Sequence, residues 1–184
     1  MSLTRRAFTV EEYHRLAQVG ILGEDDRVEL LEGEIVEMRP IGSRHARCVT
    51  DLDDLLHERV RGRAIVRVQN PVRLSERSEP QPDVALLRPR PDRYASGHPG
   101  PADVLLLIEV AETSLETDRG VKVPLYARTG IAEVWLVDLS GEAIAVFREP
   151  GPGGYGGVER VGRGGRVAPA VLPDLALGVD EILG

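Results

Sequence analysis

Apolar and polar positions alternate between helical and extended spacing along the chain. Thr9 followed three residues later by Glu12 is the pattern of a capping box, in which each side chain satisfies a backbone N–H at a helix start. The helix it predicts ends near Gly20. Residues 28–31 and 34–38 are short apolar-rich segments flanking the turn pair Glu32-Gly33, and they predict a β-hairpin. Pro40 and Gly42 then break the chain. Between Ser43 and about Arg61, the residues Val49, Leu52, Leu55, Leu56 and Val60 recur at steps of three and four, one face of an α-helix that Gly62 closes.

Extended segments follow at 64–69, 72–74 and 83–87, the last preceded by a polar loop that ends at Pro82. Pro89, Pro91, Pro99 and Pro101 make 88–101 a surface loop. Residues 103–110 are almost continuously apolar, as in a strand covered on both faces. A polar loop over 111–117 leads into a helix over 118–129, stopped by Gly130, and strands at 132–137 and 143–147. Residues 150–166 contain eight glycines without apolar periodicity and read as a flexible loop or a wide hairpin. The tail, from Leu172 to Leu183, docks by its leucines. The order of helix, three or four strands, helix and strand implies a mixed α/β layer structure, its sheet flanked by helices on both faces.

Composition narrows the class. At about 100–200 residues per domain, 184 residues predict a single domain spanning 1–184. A single cysteine, Cys48, excludes a disulfide framework and multi-thiolate metal sites, and its flanks place it in a helix interior as a small buried side chain. The start Met1-Ser2-Leu3-Thr4-Arg5-Arg6 leads into no apolar signal region, and the longest apolar run is far shorter than a membrane span. A cytoplasmic protein without membrane contact is therefore expected.

The net charge of −7 argues against a nonspecific nucleic-acid coat, but it is unevenly distributed. Residues 1–58 carry 7 basic and 13 acidic groups, residues 59–93 carry 9 arginines against 4 acids, and residues 94–184 again carry 7 against 13. The basic middle third either meets a phosphate backbone or consists of arginines dispersed among neighbouring acids. The chain has 22 arginines and one lysine, Lys122, which makes that position unusual.

Three residues suggest chemistry. Asp83 lies where a loop enters a strand, and Glu109 ends the most apolar strand, where an ionised carboxylate needs compensation. If the two strands are neighbours, both acids project from one edge and supply the hard oxygen ligands that Mg²⁺ requires. The plain alternative is a turn-capping Asp and a solvated strand-end Glu. Lys122 follows in the next helix, spaced i,i+4 from Asp118. That spacing suits a surface ion pair, but a compact ammonium also suits contact with a phosphate oxygen or an attacking water.

The segments Gln81-Pro82-Asp83-Val84, Leu106-Leu107-Ile108-Glu109-Val110 and Asp118-Arg119-Gly120-Val121-Lys122-Val123-Pro124-Leu125-Tyr126 resemble the Uma-type restriction endonuclease family. This family, formerly a domain of unknown function, lies within the PD-(D/E)XK nuclease superfamily. Glu29-Leu30-Leu31-Glu32-Gly33-Glu34-Ile35-Val36, Gly42-Ser43-Arg44-His45, Val68-Gln69-Asn70-Pro71-Val72 and Gly130-Ile131-Ala132-Glu133-Val134-Trp135-Leu136-Val137-Asp138 match in order, so the similarity covers about 8–183. It implies a restriction-endonuclease-like core with an N-terminal helix and β-hairpin. It also implies a Mg²⁺-dependent (or Mn²⁺-dependent) endonuclease that cuts DNA phosphodiester bonds, with Asp83 and Glu109 binding the metal and Lys122 assisting.

The sequence departs from the superfamily pattern at Ala111, where a lysine two residues after the second acid is expected. The resemblance instead takes the lysine from the following helix. Glu29 and His45 lie in matching segments as a further acid and a phosphate- or metal-supporting group. The alternatives are a solvated hairpin acid beside Asp25, Asp26 and Glu32, and a helix-start histidine in solvent. Gln69 and Gln81 are candidates for hydrogen bonding near the metal. Tyr126 and Trp135 read as core residues. A homodimer, with two sites for two strands, is implied by resemblance, and a non-catalytic binding or assembly module retaining the fold is the competing function.

Overall fold

The computed structural model describes residues 5–184. In chain order its elements are α1 (Val10–Gln18), β1 (Val28–Leu31), β2 (Glu34–Glu37), α2 (Ser43–Val60), β3 (Ile65–Val68), β4 (Val84–Leu87), β5 (Val104–Ala111), α3 (Leu115–Thr117), a π-helical turn (Asp118–Lys122) and α4 (Val123–Arg128). There follow β6 (Glu133–Asp138), β7 (Ala143–Gly151), β8 (Gly154–Gly162), β9 (Arg166–Val167), β10 (Leu177–Gly178) and α5 (Val179–Leu183). A six-stranded sheet has the order β3-β4-β5-β6-β7-β8. Only β5 and β6 run parallel in it, since the α3–α4 crossover joins them, and the other neighbours are antiparallel.

Alternation along the central strands divides the core. Leu106, Ile108 and Val110 of β5 pack with Leu52 and Leu56 of α2 and with Leu175, Leu177, Val179 and Ile182 of the tail. Leu107 and Ala111 face the other way, toward Val123, Leu125 and Tyr126 around α4, and toward Leu31 of the hairpin. Two-sided coverage explains why β5 is buried along its whole length and reads as an unbroken apolar run.

The local signals behave as their chemistry requires. Thr9 and Glu12 form the reciprocal capping box of α1. Glu32 and Gly33 both take positive φ, 51° and 84°, the geometry of a two-residue hairpin turn with the twist of its strands. Gly33 also lies against the N-terminal segment, where a Cβ would sit 2.6 Å from that of Ala7. Helix α2 ends as expected, with Arg61 in the left-handed region and Gly62 after it. Cys48 is buried, and its thiol donates to the carbonyl of Ile182.

Two expectations are corrected and alternatives left open are narrowed. Residues 72–74 form no strand: Val72 and Leu74 donate to Pro80 and Ser78, closing a narrow loop, and Pro71 and Pro80 lack the N–H groups a ladder needs. For the glycine-rich 150–166 stretch the hairpin alternative holds, with β8 paired to β7 along its length. The helix expected over 118–129 begins at Leu115 and opens into a π turn. There the Val123 N–H reaches back to Asp118 O, and Pro124 has no N–H to close an α turn onto Gly120. Four of the nine arginines of the basic middle third pair with acids, as the dispersed alternative has it. Arg59 pairs with Glu181, Arg63 with Asp174, Arg73 with Glu11 and Arg90 with Asp92, while Arg67 and Arg90 lie over the Tyr94 ring. Among the described residues, no helix is long and apolar enough to cross a membrane.

Candidate functional site

Strand pairing brings the two acids to one edge. Val84 is registered with Ile108, so Asp83 and Glu109 stand one residue further on, at the same end of adjacent antiparallel strands. The Val110 N–H donates to Asp83 Oδ2 at 2.8 Å, which ties the Asp83 carboxylate to the strand carrying Glu109. Two further donors hold Asp83: His45 Nε2 at 3.1 Å and Gln69 Nε2 at 3.3 Å. A carboxylate only accepts, so His45 presents its Nε2–H to it. The hydrogen bond raises the His45 pKa against the opposing effect of burial.

The π turn brings the lysine to the other acid. It turns Asp118 and Lys122 inward together, each only 6 % exposed, so this i,i+4 pair is not the surface ion pair its spacing allowed. The Lys122 ammonium lies 3.1 Å from Glu29 Oε1 and 3.4 Å from Glu109 Oε1. Tyr126, one turn further along in α4, donates its hydroxyl to the same Glu109 oxygen at 2.5 Å. Both contacts fall on Oε1, so Oε2 is the Glu109 oxygen left for a ligand. Ala111, two residues after Glu109, points toward the α4 side of the sheet.

Glu29 comes from the hairpin. It is 4 % exposed, which overturns the solvated-face alternative. Its Oε2 accepts from the Gln81 backbone N–H at 3.0 Å, and the Gln81 side chain donates to Val28 O at 3.1 Å. Gln81 therefore joins the hairpin to the segment leading into Asp83. Asp118 takes a hydrogen bond of 2.5 Å from Ser114.

Four acids and one lysine thus line one cavity, with Glu29 and Glu109 in contact with the ammonium, and the electrostatics follow from burial and that imbalance. Burial, reinforced by Asp83, Asp118 and Glu29, pushes the Glu109 carboxyl up to about 8, although Lys122 pulls the other way. Burial also raises Asp118, against the pull of its Ser114 bond. For Lys122 burial disfavours the charge, but Glu109, Glu29 and Asp118 outweigh it and hold the ammonium above its ordinary range. Tyr126, desolvated beside Glu109, is raised well above the usual phenol value and stays a donor.

All the residues singled out from sequence (Asp83, Glu109, Lys122, Glu29, His45, Gln69 and Gln81) line one cavity of about 140 Å³. Arg27 and Arg39 also line it, so the basic groups beside the acids come from the acidic N-terminal third of the chain. Sequence reasoning missed two members. Spacing presents Asp118 only as a partner for Lys122, and Tyr126 only as core; the signal for both is their position in the same matching segment as Lys122. Trp135 is core as expected, with its indole N–H on Glu133.

The chain matches the Uma2 family, described as "Putative restriction endonuclease", over residues 10–180. Among solved structures it is similar to a "putative nuclease belonging to DUF820" from Anabaena variabilis, with a TM-score of 0.73 at 15 % identity, covering 96 % of this chain and 97 % of that one. At that identity the likeness concerns the fold. No curated protein matches. The family match runs from α1 to the second residue of α5 and takes in every strand described above, so this chain belongs to the Uma2 restriction-endonuclease family and has a nuclease-like fold.

Proposed function

We propose that this protein is a Mg²⁺- or Mn²⁺-dependent endonuclease that hydrolyses DNA phosphodiester bonds through a PD-(D/E)XK-type site of Asp83, Glu109 and Lys122. The observation that carries the reading is the meeting of two strand-end acids with a buried lysine from another element, 3.4 Å from Glu109, in one cavity. The donor set fits a hard divalent cation: it is made of carboxylate oxygens, and its acids outnumber its lysine. Asp83 and Glu109 would hold the ion. When bound, such an ion polarises the phosphoryl oxygen and acidifies a water.

The chain's own residues do the rest. His45, Gln69 and the Val110 N–H fix the Asp83 carboxylate, and Tyr126 fixes Glu109. Lys122 orients the attacking water or offsets the charge that builds on the phosphorane, from an environment where its charge is little screened. Glu29, anchored by Gln81, keeps the ammonium in position. Arg27 and Arg39 at the same cavity suit contact with the flanking phosphates.

The test uses supercoiled and linear DNA with purified protein and Mg²⁺ or Mn²⁺. Wild type should cleave, EDTA should stop it, and Asp83→Ala should be inactive while melting as one folded species. Equal cleavage by both proteins means a contaminant. No cleavage, together with no binding of Mn²⁺, favours the non-catalytic binding or assembly module. The proposal extends to a homodimer addressing two strands; sedimentation showing only a 20.1 kDa species at micromolar concentration overturns that part. A cytoplasmic location and a single folding unit over 1–184 belong to the same proposal.

A further inference from the structure

A second group of metal-ligating side chains has different chemistry. His14 of α1, Glu79 of the loop before β4 and His98 of the proline-rich loop each bring one donor atom within 4.8 Å of the others. His14 Nε2 lies 2.6 Å from Glu79 Oε1, and the His14 and His98 rings meet edge-on with centroids 6.1 Å apart. Glu79 is only 2 % exposed, yet its Oε2 has no hydrogen-bond partner among the described residues. A buried carboxylate oxygen left unpaired is costly unless a ligand satisfies it. The bond to His14 accounts for one oxygen and explains neither the other oxygen nor the nearby second imidazole.

We infer that His14, Glu79 and His98 form a binding site for a transition-metal ion of the Zn²⁺ class, separate from the carboxylate-lined cavity. Two imidazoles and one carboxylate suit Zn²⁺ and its neighbours, whereas Mg²⁺ prefers oxygen donors and water. Donor atoms on a tetrahedral Zn²⁺ at bonds of about 2.0–2.1 Å lie roughly 3.3 Å apart. The donor atoms already lie within 4.8 Å of one another, so binding needs the 2.6 Å His14–Glu79 pair to open slightly and the exposed His98 side chain to adjust by rotation. The site ties three segments that are far apart in sequence. Glu79 donates its N–H to Leu30 O, next to Glu29, and Gln81 and Asp83 follow on the same strand-leading segment. A bound ion therefore braces the piece of chain that carries part of the acidic site, without touching that site.

The test is Zn²⁺ titration of metal-stripped protein by calorimetry, in wild type, Asp83→Ala, His98→Ala and Glu79→Gln, with Co²⁺ absorption as a report on ligand type. One equivalent should bind to wild type and Asp83→Ala alike, with the Co²⁺ spectrum of a low-coordinate imidazole site, and millimolar Mg²⁺ should not displace it. His98→Ala, at an exposed position that leaves the fold intact, should weaken binding by about tenfold or more. Glu79→Gln should do so at least as strongly. The inference is overturned if wild type takes up no Zn²⁺, or if His98→Ala and Glu79→Gln bind it as wild type does. It is equally overturned if Asp83→Ala alone abolishes binding, which assigns the ion to the acidic cavity. Because Asp83→Ala is the variant that ends DNA cleavage, failure of the nuclease reading and failure of this site give different patterns.

Discussion

Replacing Lys122 with methionine keeps the buried aliphatic stem and removes the charge that Glu29 and Glu109 share. Breaking a buried ion pair from one side costs about 3–5 kcal/mol, because the remaining charge stays desolvated. In a chain of this size each kcal/mol shifts the midpoint by about 2–4 °C, so a drop of roughly 6–20 °C follows at pH 8. The sign with pH is fixed by the acids. Glu109 rises from its ordinary 4.5 to about 8 in the folded protein, so wild type itself loses stability as pH climbs across that window. Lys122, held above its ordinary 10.5, contributes stability that is present below that value and is lost only at higher pH. Without Lys122, which pulls it down, the folded-state value of Glu109 climbs further. The deficit of Lys122→Met is then smallest near pH 5, where the acids take protons cheaply, and largest near pH 9. The assay is thermal unfolding followed by circular dichroism in EDTA at pH 5, 7 and 9, repeated with saturating Mg²⁺, which should narrow the gap by supplying positive charge to the same carboxylates. An equal loss at pH 5 and pH 9, or no loss at pH 8, would refute the view that Lys122 compensates buried acids.

Other consequences follow from single contacts. Tyr126→Phe removes the donor to Glu109 Oε1 and should cost about 1.5–3 kcal/mol in urea unfolding at pH 9, where Glu109 is ionised, the range for a hydrogen bond to a charged acceptor; an unchanged midpoint would mean that Lys122 alone holds Glu109. Gly33→Ala places a methyl against Ala7 at a backbone φ of 84°, and a loss of about 1–3 kcal/mol should appear in the same measurement. Cys48 is desolvated, with its thiol pushed up to about 12, so a thiol reagent at pH 8 should label it at the rate of unfolding, and instant labelling of native protein would contradict its burial. If residues 1–184 are one folding unit, near-ultraviolet and far-ultraviolet circular dichroism should lose signal in a single coincident transition; two separated transitions would divide the chain.

Sequence by itself determined the features that are written within a few consecutive residues. The Thr9–Glu12 cap, the Glu32-Gly33 turn, the three- and four-residue steps of α2 and the unbroken apolar run of β5 each depend on local spacing, and each stands in the structure where spacing put it. The segments around Asp83, Glu109 and Lys122 were legible in the same way, as motifs of a known family. Tertiary structure alone decided what those residues meet. Whether Glu29 is a solvated hairpin acid or a buried partner of Lys122 depends on what packs over the hairpin, and nothing within the hairpin encodes it. The i,i+4 spacing of Asp118 and Lys122 predicts a surface pair on an α-helix, but a π turn and the missing N–H of Pro124 turn both inward. Charge alone left the arginine-rich third open between a phosphate-binding surface and arginines paired with acids, and only the fold shows Arg59, Arg63 and Arg73 against acids of α1 and the tail. His14, Glu79 and His98 carry no shared pattern at all, being distributed over a helix and two loops. The physical reason is common to these cases. Spacing fixes which way a side chain points from its own element, whereas charge, burial and ligand geometry depend on distances across elements, and those exist only once the chain has closed on itself.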